Sequence, residues 1–254
     1  VLDRFRLDGR VAIVTGGTGL YGTPFSRALS QAGATVVITS RELARAEAAA
    51  AAIDGAVGMR LDQADPGSIA VFAEQATERF GRIDVLVNNA VHRQGAGLEG
   101  TTAADWDATS ATNSRGLFLL TQSLVPAMVA GGGGSVINVG SIYGIVGPTF
   151  GIYAGTTMTS PAFYSYDKAG MIGLTRYLAS ALGRSGVRVN CLCPGGLGTP
   201  DQPEAFVQHY TAQVPLGRLA TEDDVTGALV FLASDAARYV TGVTLPVDGG
   251  WTAH

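Results

Sequence analysis

Tyr164 and Lys168 stand four residues apart, downstream of Ser141 and of a glycine loop, Thr15-Gly16-Gly17-Thr18-Gly19-Leu20-Tyr21-Gly22. On a helix this spacing puts a phenol and an ammonium on one face. A phenol ordinarily ionises near pH ~10. A cation held beside one favours the phenolate, so such a pair is suited to trading a proton with a substrate oxygen near neutral pH. Glycines after a strand let backbone approach a pyrophosphate, and the helix that follows aims its first N–H groups at it. Together these residues describe hydride transfer to or from a dinucleotide, with a tyrosine as the acid/base.

The elements that must position them alternate. Short apolar runs read as buried strands at Val11–Val14, Thr35–Thr39, Gly58–Leu61, Asp84–Val87, Ser135–Val139, Val187–Cys191 and Val243–Val247. Helical patterns lie between them at about 22–32, 42–52, 66–80, 103–129, 163–182 and 222–233. Strands alternating with helices imply parallel βαβ units, and strands without polar alternation fit a sheet covered on both faces. The expected fold is therefore α/β: a single-domain, Rossmann-type, doubly wound parallel sheet spanning residues 1–254. Ligands in such sheets bind beyond the carboxyl ends of the strands. The glycine loop after strand one, Ser141 after strand five and Pro194-Gly195 after strand six all fall on that edge. The run Gly131–Gly134 precedes strand five and falls on the opposite edge, as a connecting turn.

Strand two ends in Ser40-Arg41, with no carboxylate at Thr39, Ser40 or Arg41, although Glu42 follows. A carboxylate near this point holds the ribose 2′-hydroxyl of NAD, whereas an arginine can hold a 2′-phosphate. NADP(H) is the favoured cofactor, with NAD(H) the alternative and a solvated Arg41 the bland reading.

Composition narrows the function further. The 254 residues are 46% apolar and carry a net charge of −4 without a basic run, which argues against nucleic-acid binding. No window approaches the roughly 18 uncharged apolar residues of a bilayer span, and the first residues lack an apolar signal core, so the expected location is cytoplasmic. Cys191 and Cys193 would point to the same side of a strand and read as buried small apolar residues. His92, His209 and His254 are scattered, and no metal site is expected.

In this order the motifs resemble the classical short-chain dehydrogenases/reductases. The resemblance runs from Leu7-Asp8-Gly9-Arg10-Val11 to Val247-Asp248-Gly249-Gly250 and rests on joint occurrence. Its parts are Thr15-Gly16 with the downstream glycines, Asp62, Asn88-Asn89-Ala90, Asn113, Ser141, Tyr164 with Lys168, and Asn190-x-x-x-Pro194-Gly195-x-x-x-Thr199. The resemblance implies a catalytic set of Asn113, Ser141, Tyr164 and Lys168. Tyr164 would exchange a proton with the substrate oxygen, which Ser141 would orient. Lys168 would hold the nicotinamide ribose, and Asn113 would support a water linking Lys168 to solvent. Gly16, Thr18, Gly19, Leu20, Tyr21, Ser40 and Arg41 would hold the cofactor from one side. Asp62 and Gln63 would do so near adenine, with Asn89, Ala90 and Val91 along its length. Pro194, Gly195, Leu197 and Thr199 would close over the nicotinamide.

Three departures stand out. Leu20 replaces the middle glycine of the usual T-G-x-x-x-G-x-G loop while Gly19 lies one place earlier, a spacing more like the extended branch of the superfamily. Val91 replaces the common glycine after Asn-Asn-Ala. Tyr164 lies well beyond the family's usual distance from Ser141, whereas Tyr153 falls close to it. Tyr153 has Thr157 rather than a lysine four residues on, so Tyr164 is preferred; Tyr166 would point away from Lys168. The extra segment, about 148–161, should then line the substrate cleft. Its wording is similar to a subgroup associated with bacterial surface-sugar biosynthesis, which suggests a polar, hydroxylated substrate. Residues 198–218 resemble the family's mobile substrate loop.

The reading that results is an NADP(H)-dependent oxidoreductase interconverting a small-molecule carbonyl and a secondary alcohol. The alternatives are a nucleotide-retaining dehydratase or epimerase and a non-catalytic NAD(P)-binding regulator. The resemblance also implies a homotetramer or homodimer, with the helices near 103–129 and 163–182 as the pairing faces.

Overall fold

The structure, a computed structural model, describes residues 1–93 and 95–253. Seven strands form one parallel sheet: β1 Val11–Val14, β2 Thr35–Ser40, β3 Val57–Arg60, β4 Val85–Asn88, β5 Gly134–Val139, β6 Val187–Pro194 and β7 Thr244–Val247. Their order is β3-β2-β1-β4-β5-β6-β7, with every pairing parallel. The helices are α1 Gly22–Gln31, α2 Leu43–Ala51, α3 Pro66–Phe80, α4 Ala103–Ser110, α5 Leu117–Ala130, α6 Ala162–Leu182, α7 Glu204–Thr211 and α8 Glu222–Ala233.

Two apolar cores explain why the strands carry no polar alternation. Ala12, Val14, Val36, Ile38 and Ile137 pack with Phe25 and Leu29 of α1 and Leu229 and Leu232 of α8. Their sequence neighbours Val11, Ile13, Val37 and Val136 pack with Phe72 of α3, Leu120 and Leu124 of α5 and Leu178 of α6. Successive side chains feed opposite faces, so both registers must be apolar. Local signals set the helix ends. Asp65 accepts a hydrogen bond from Gly67 N ahead of Pro66, and Gly81 ends α3 in the left-handed region at φ 69°. Thr102 with Asp105 and Thr221 with Asp224 form capping boxes at α4 and α8.

The sheet and its flanking helices match the sequence expectation, with adjustments at strand ends and within the longest expected helix. The third strand begins and ends one residue earlier than its apolar pattern suggested; at Gly58 within it a side chain would strike the backbone of α2 at Ala46 and Glu47. The single helix expected over 103–129 is α4, a π-type turn at Ala111–Gly116, and α5. At Gly116 a side chain would run into the Gln63 carbonyl, so the chain widens where the loop after β3 presses on it. The segment 198–218 contains α7. Cys191 and Cys193 are buried and unbridged with sulfurs 3.6 Å apart, and a side chain at Gly140 would meet both.

A buried polar chain locks the two long helices to the sheet centre. Asn88 Nδ2 donates to Thr121 Oγ1 of α5 at 3.1 Å and to Asn138 Oδ1 at 2.9 Å. Asn138 Nδ2 donates to Thr175 Oγ1 of α6 at 2.9 Å. Thr175→Val keeps the shape but strands a buried amide donor, and should lower the unfolding free energy by about 1–3 kcal/mol in urea titration; an unchanged midpoint would show that the chain does not hold α6.

Candidate active site

A cavity of about 550 Å³ opens at the carboxyl ends of the strands. It is lined by the loops that follow β1, β3, β4, β5 and β6, by the end of β2, by α6 and by α7. Its floor is bare backbone. Gly16 is left-handed at φ 58°, and an added Cβ would lie 2.9 Å from Ala90 Cα. At Gly22 a Cβ would strike the Gly16 carbonyl. Leu20, the residue out of pattern, is 56% exposed at the cavity wall and does not fill the cradle.

The loop is tied to its neighbour by side chains. Thr15 Oγ1 accepts from the N–H groups of Asn89 and Ala90 at 3.0 and 2.9 Å. Asn89 Nδ2 donates to the carbonyls of Thr15 and Gly16 at 2.9 and 3.0 Å. At the β2 and β3 end the wall carries Ser40, Arg41, Asp62 and Gln63, joined by Arg45 of α2. Glu42 does not line the cavity.

At the other end Tyr164 and Lys168 project from α6, with the Lys168 Nζ 5.7 Å from the centre of the Tyr164 ring. Lys168 is buried, and its ammonium donates to the Val139 carbonyl at 2.6 Å. Ser141 lies on the same wall; its Oγ accepts from Tyr143 N at 3.2 Å, which leaves the hydroxyl hydrogen for another oxygen. Tyr153 takes a different part. Its hydroxyl lies 3.1 Å from that of Tyr143, and its ring stacks on Phe206 of α7 at 5.9 Å. Tyr166 is exposed and packs on Trp106 at 5.2 Å.

Other phenols brace the cavity. Tyr21 donates to the Gly195 carbonyl at 2.9 Å, and Tyr210 accepts from Gly196 N at 2.6 Å. Burial pushes the Tyr210 phenol up to about 12 and raises Tyr21 and Tyr143 further, with the Tyr153 bond adding to Tyr143. These three remain neutral hydrogen-bonding groups at physiological pH.

Two expected residues lie off the wall. Thr199 donates its N–H to Gln202 Oε1 at 3.0 Å, and it is Gln202 that reaches the cavity. Asn113, in the π-type turn, stands behind the loop after β4. Its Oδ1 accepts from His92 N at 2.7 Å, while its Nδ2 donates to His92 O and to Asp167 Oδ2, both at 2.9 Å. The remaining expected positions, including Thr18, Gly19, Val91, Pro194 and Leu197, line the cavity.

Comparisons with known proteins identify the family. The family model described as enoyl-(acyl carrier protein) reductase matches residues 22–252. A 3-oxoacyl-[acyl-carrier-protein] reductase of Thermotoga maritima is 35% identical, covering 96% of this chain and 98% of its own. The chain belongs to the short-chain dehydrogenase/reductase family. A D-threitol dehydrogenase of Mycolicibacterium smegmatis is 35% identical over 98% of this chain and 95% of its own. The crystal structure of a gluconate 5-dehydrogenase from Burkholderia cenocepacia, in complex with NADP and tartrate, superposes with a TM-score of 0.90 at 32% identity, covering 100% of this chain and 99% of that one. The protein is thus an oxidoreductase of the short-chain family, whose members bind NAD(P).

Sequence reasoning missed Asp167, although it lies three residues after Tyr164 and so shares that helix face. It also missed Arg45, Arg93 and the Tyr143–Tyr153 pair, which no spacing announces. Burial pushes the Asp167 carboxyl up, against the Asn113 hydrogen bond and the Lys168 charge that pull it down. A raised carboxyl keeps its proton to higher pH in the folded than in the unfolded chain. Its contribution to stability therefore falls as pH rises through the window just above the ordinary carboxylate range. Asp167→Asn retains an oxygen for Asn113 and should flatten that slope when unfolding free energy is measured from about pH 4 to about pH 7.

Proposed function

We propose that this enzyme interconverts a carbonyl and a secondary alcohol with NADP(H), using Tyr164 as acid/base. The observation that carries the reading is the Lys168 ammonium beside the Tyr164 ring, with Ser141 on the same wall. The opposite end of that cavity holds Arg41 and Arg45. In reduction, the Tyr164 hydroxyl gives its proton to the substrate oxygen; in oxidation, it takes one back. The Ser141 hydroxyl donates to the same oxygen and orients it. Lys168, anchored on Val139 O, stabilises the negative charge left on the Tyr164 oxygen through proximity. Asn113 acts from behind, joining the His92 backbone to α6 through Asp167.

The residues fit a nicotinamide dinucleotide. The side-chain-free cradle at Gly16 and Gly22 faces the first turn of α1, which suits a pyrophosphate. Arg41 and Arg45 suit a ribose 2′-phosphate, and the NADP held by the Burkholderia relative supports that preference. When bound, the nicotinamide supplies or accepts the hydride. The reading takes residues 1–254 as one catalytic domain, with 148–161 and 198–218 on the substrate side. Exposed aromatics on α4 to α6, among them Trp106, Phe118 and Tyr177, support pairing of copies across those helices.

Tyr164→Phe should lower turnover by about 10²–10⁴-fold while NADPH binding, followed by nicotinamide fluorescence, stays largely unchanged. Turnover retained by that variant would transfer the role to Tyr153. Net oxidation of added NADPH by a ketone separates this chemistry from a dehydratase or epimerase that keeps its nucleotide. Arg41→Ala should weaken NADPH by about 10–100-fold and NADH far less; equal losses would remove the 2′-phosphate argument.

A further inference from the structure

Beside the acid/base pair the cavity holds a cation that the reaction does not use. Arg93, in the loop after β4, carries its guanidinium 4.8 Å from the centre of the Tyr164 ring. We propose that Arg93 binds an anionic group of the substrate, so that the carbonyl or alcohol this enzyme takes carries a carboxylate. The inference rests on the hydride-transfer reading of the cavity and narrows its substrate class.

Four observations converge on it. First, the side chain is aimed at the site: Arg93 lines the cavity, and its positive charge is felt by the hydroxyls of both Tyr21 and Tyr143. Second, among the described residues Arg93 has no ion-pair partner, and Asp62 is the one carboxylate on the cavity wall, at the β3 end. Third, the cavity reverses the charge of the chain. The protein carries −4, whereas the wall presents Arg41, Arg45, Arg93 and Lys168 against Asp62. Fourth, the other cation at this end is engaged, since Lys168 donates to Val139 O.

The chemistry of the group then selects its ligand. Contact with a ring face engages the charge of a guanidinium and leaves most of its five N–H donors for an acceptor. A planar fork of donors matches a carboxylate in a two-point bond. Tyr143, Tyr153 and Phe206 supply an aromatic wall for the body of such a molecule. Proximity to Tyr164 lets one small substrate reach both the phenol and the guanidinium. A coenzyme phosphate is a poorer match, because Arg41 and Arg45 already stand at the β2 end.

Benzoate and benzamide share shape and differ in charge, so their binding reads the proposal directly. Calorimetric titration at low salt, with saturating NADPH or NADH present, should show benzoate binding at least about tenfold tighter than benzamide. Arg93→Ala should abolish that preference and leave benzamide unchanged, while Arg93→Lys should restore part of it. Added salt should narrow the difference. Equal affinities in the wild type, no binding of benzoate, or a preference that survives Arg93→Ala would overturn the proposal. A role confined to supporting charge on Tyr164 would also overturn it, and would show as an equal fall in kcat for neutral and carboxylate-bearing ketones without a selective rise in KM. Failure of the hydride-transfer reading shows separately, as no oxidation of either reduced coenzyme by any ketone, with the benzoate result unaffected.

Discussion

The site depends on how the chain is held where the strand order turns. β1 and β4 are neighbours in the sheet, yet β1 leads onward to α1 and β2, while β4 leads toward α4 and β5. The loops leaving them diverge, and a crevice opens between. Thr15 and Asn89 keep that crevice at a fixed width. One hydroxyl takes two N–H groups from the far loop, and one amide gives two hydrogens back to the near one. Gly16 is folded against Ala90 so closely that no side chain fits between them. The bare cradle is thus a product of cross-loop bonding as much as of glycine content. This also accounts for the tolerance of Leu20, which sits on the rim and takes no part in the bonding.

A second set of bonds fixes α6. α6 is pinned through Thr175 to Asn138 and Asn88, and through Asp167 to Asn113. Between these two anchors lies Lys168, bonded to the last residue of β5. The helix therefore has little freedom to slide or roll, and Tyr164 is delivered to the cavity by rigid structure. The loops opposite are braced by phenols that burial keeps neutral. Tyr164 has the Lys168 ammonium and the Arg93 guanidinium near its ring, whereas Tyr153 is bonded to Tyr143 and stacked on Phe206.

Much of this was legible in the residues. Apolar strands between amphipathic helices gave the sheet, and Tyr164 with Lys168 gave the pair, since both signals are local and periodic. Tyr164 was preferred over Tyr153 for the lysine that follows it and for opening a long helical segment, despite the unusual distance from Ser141. What escaped was non-periodic or long-range. The helical pattern runs unbroken through 111–116, and nothing in it announces the wide turn that Gly116 permits against Gln63. Asn113 finds its partners in a distant loop and another helix, so its placement behind the wall had no sequence signal. Arg93 sits in an irregular loop where spacing carries no direction. Thr199 matched a motif, yet Gln202 holds its N–H and takes its place at the cavity.

The stacking of Tyr153 on Phe206 joins two stretches that are far apart along the chain, the insert before α6 and the helix after β6. Tyr143, bonded to Tyr153, lies between them and Ser141. An evolutionary exchange of either stretch alone would leave an aromatic face without its counterpart. Chimaeras that transplant both stretches together should keep this stacked aromatic wall of the cavity, where single transplants lose it.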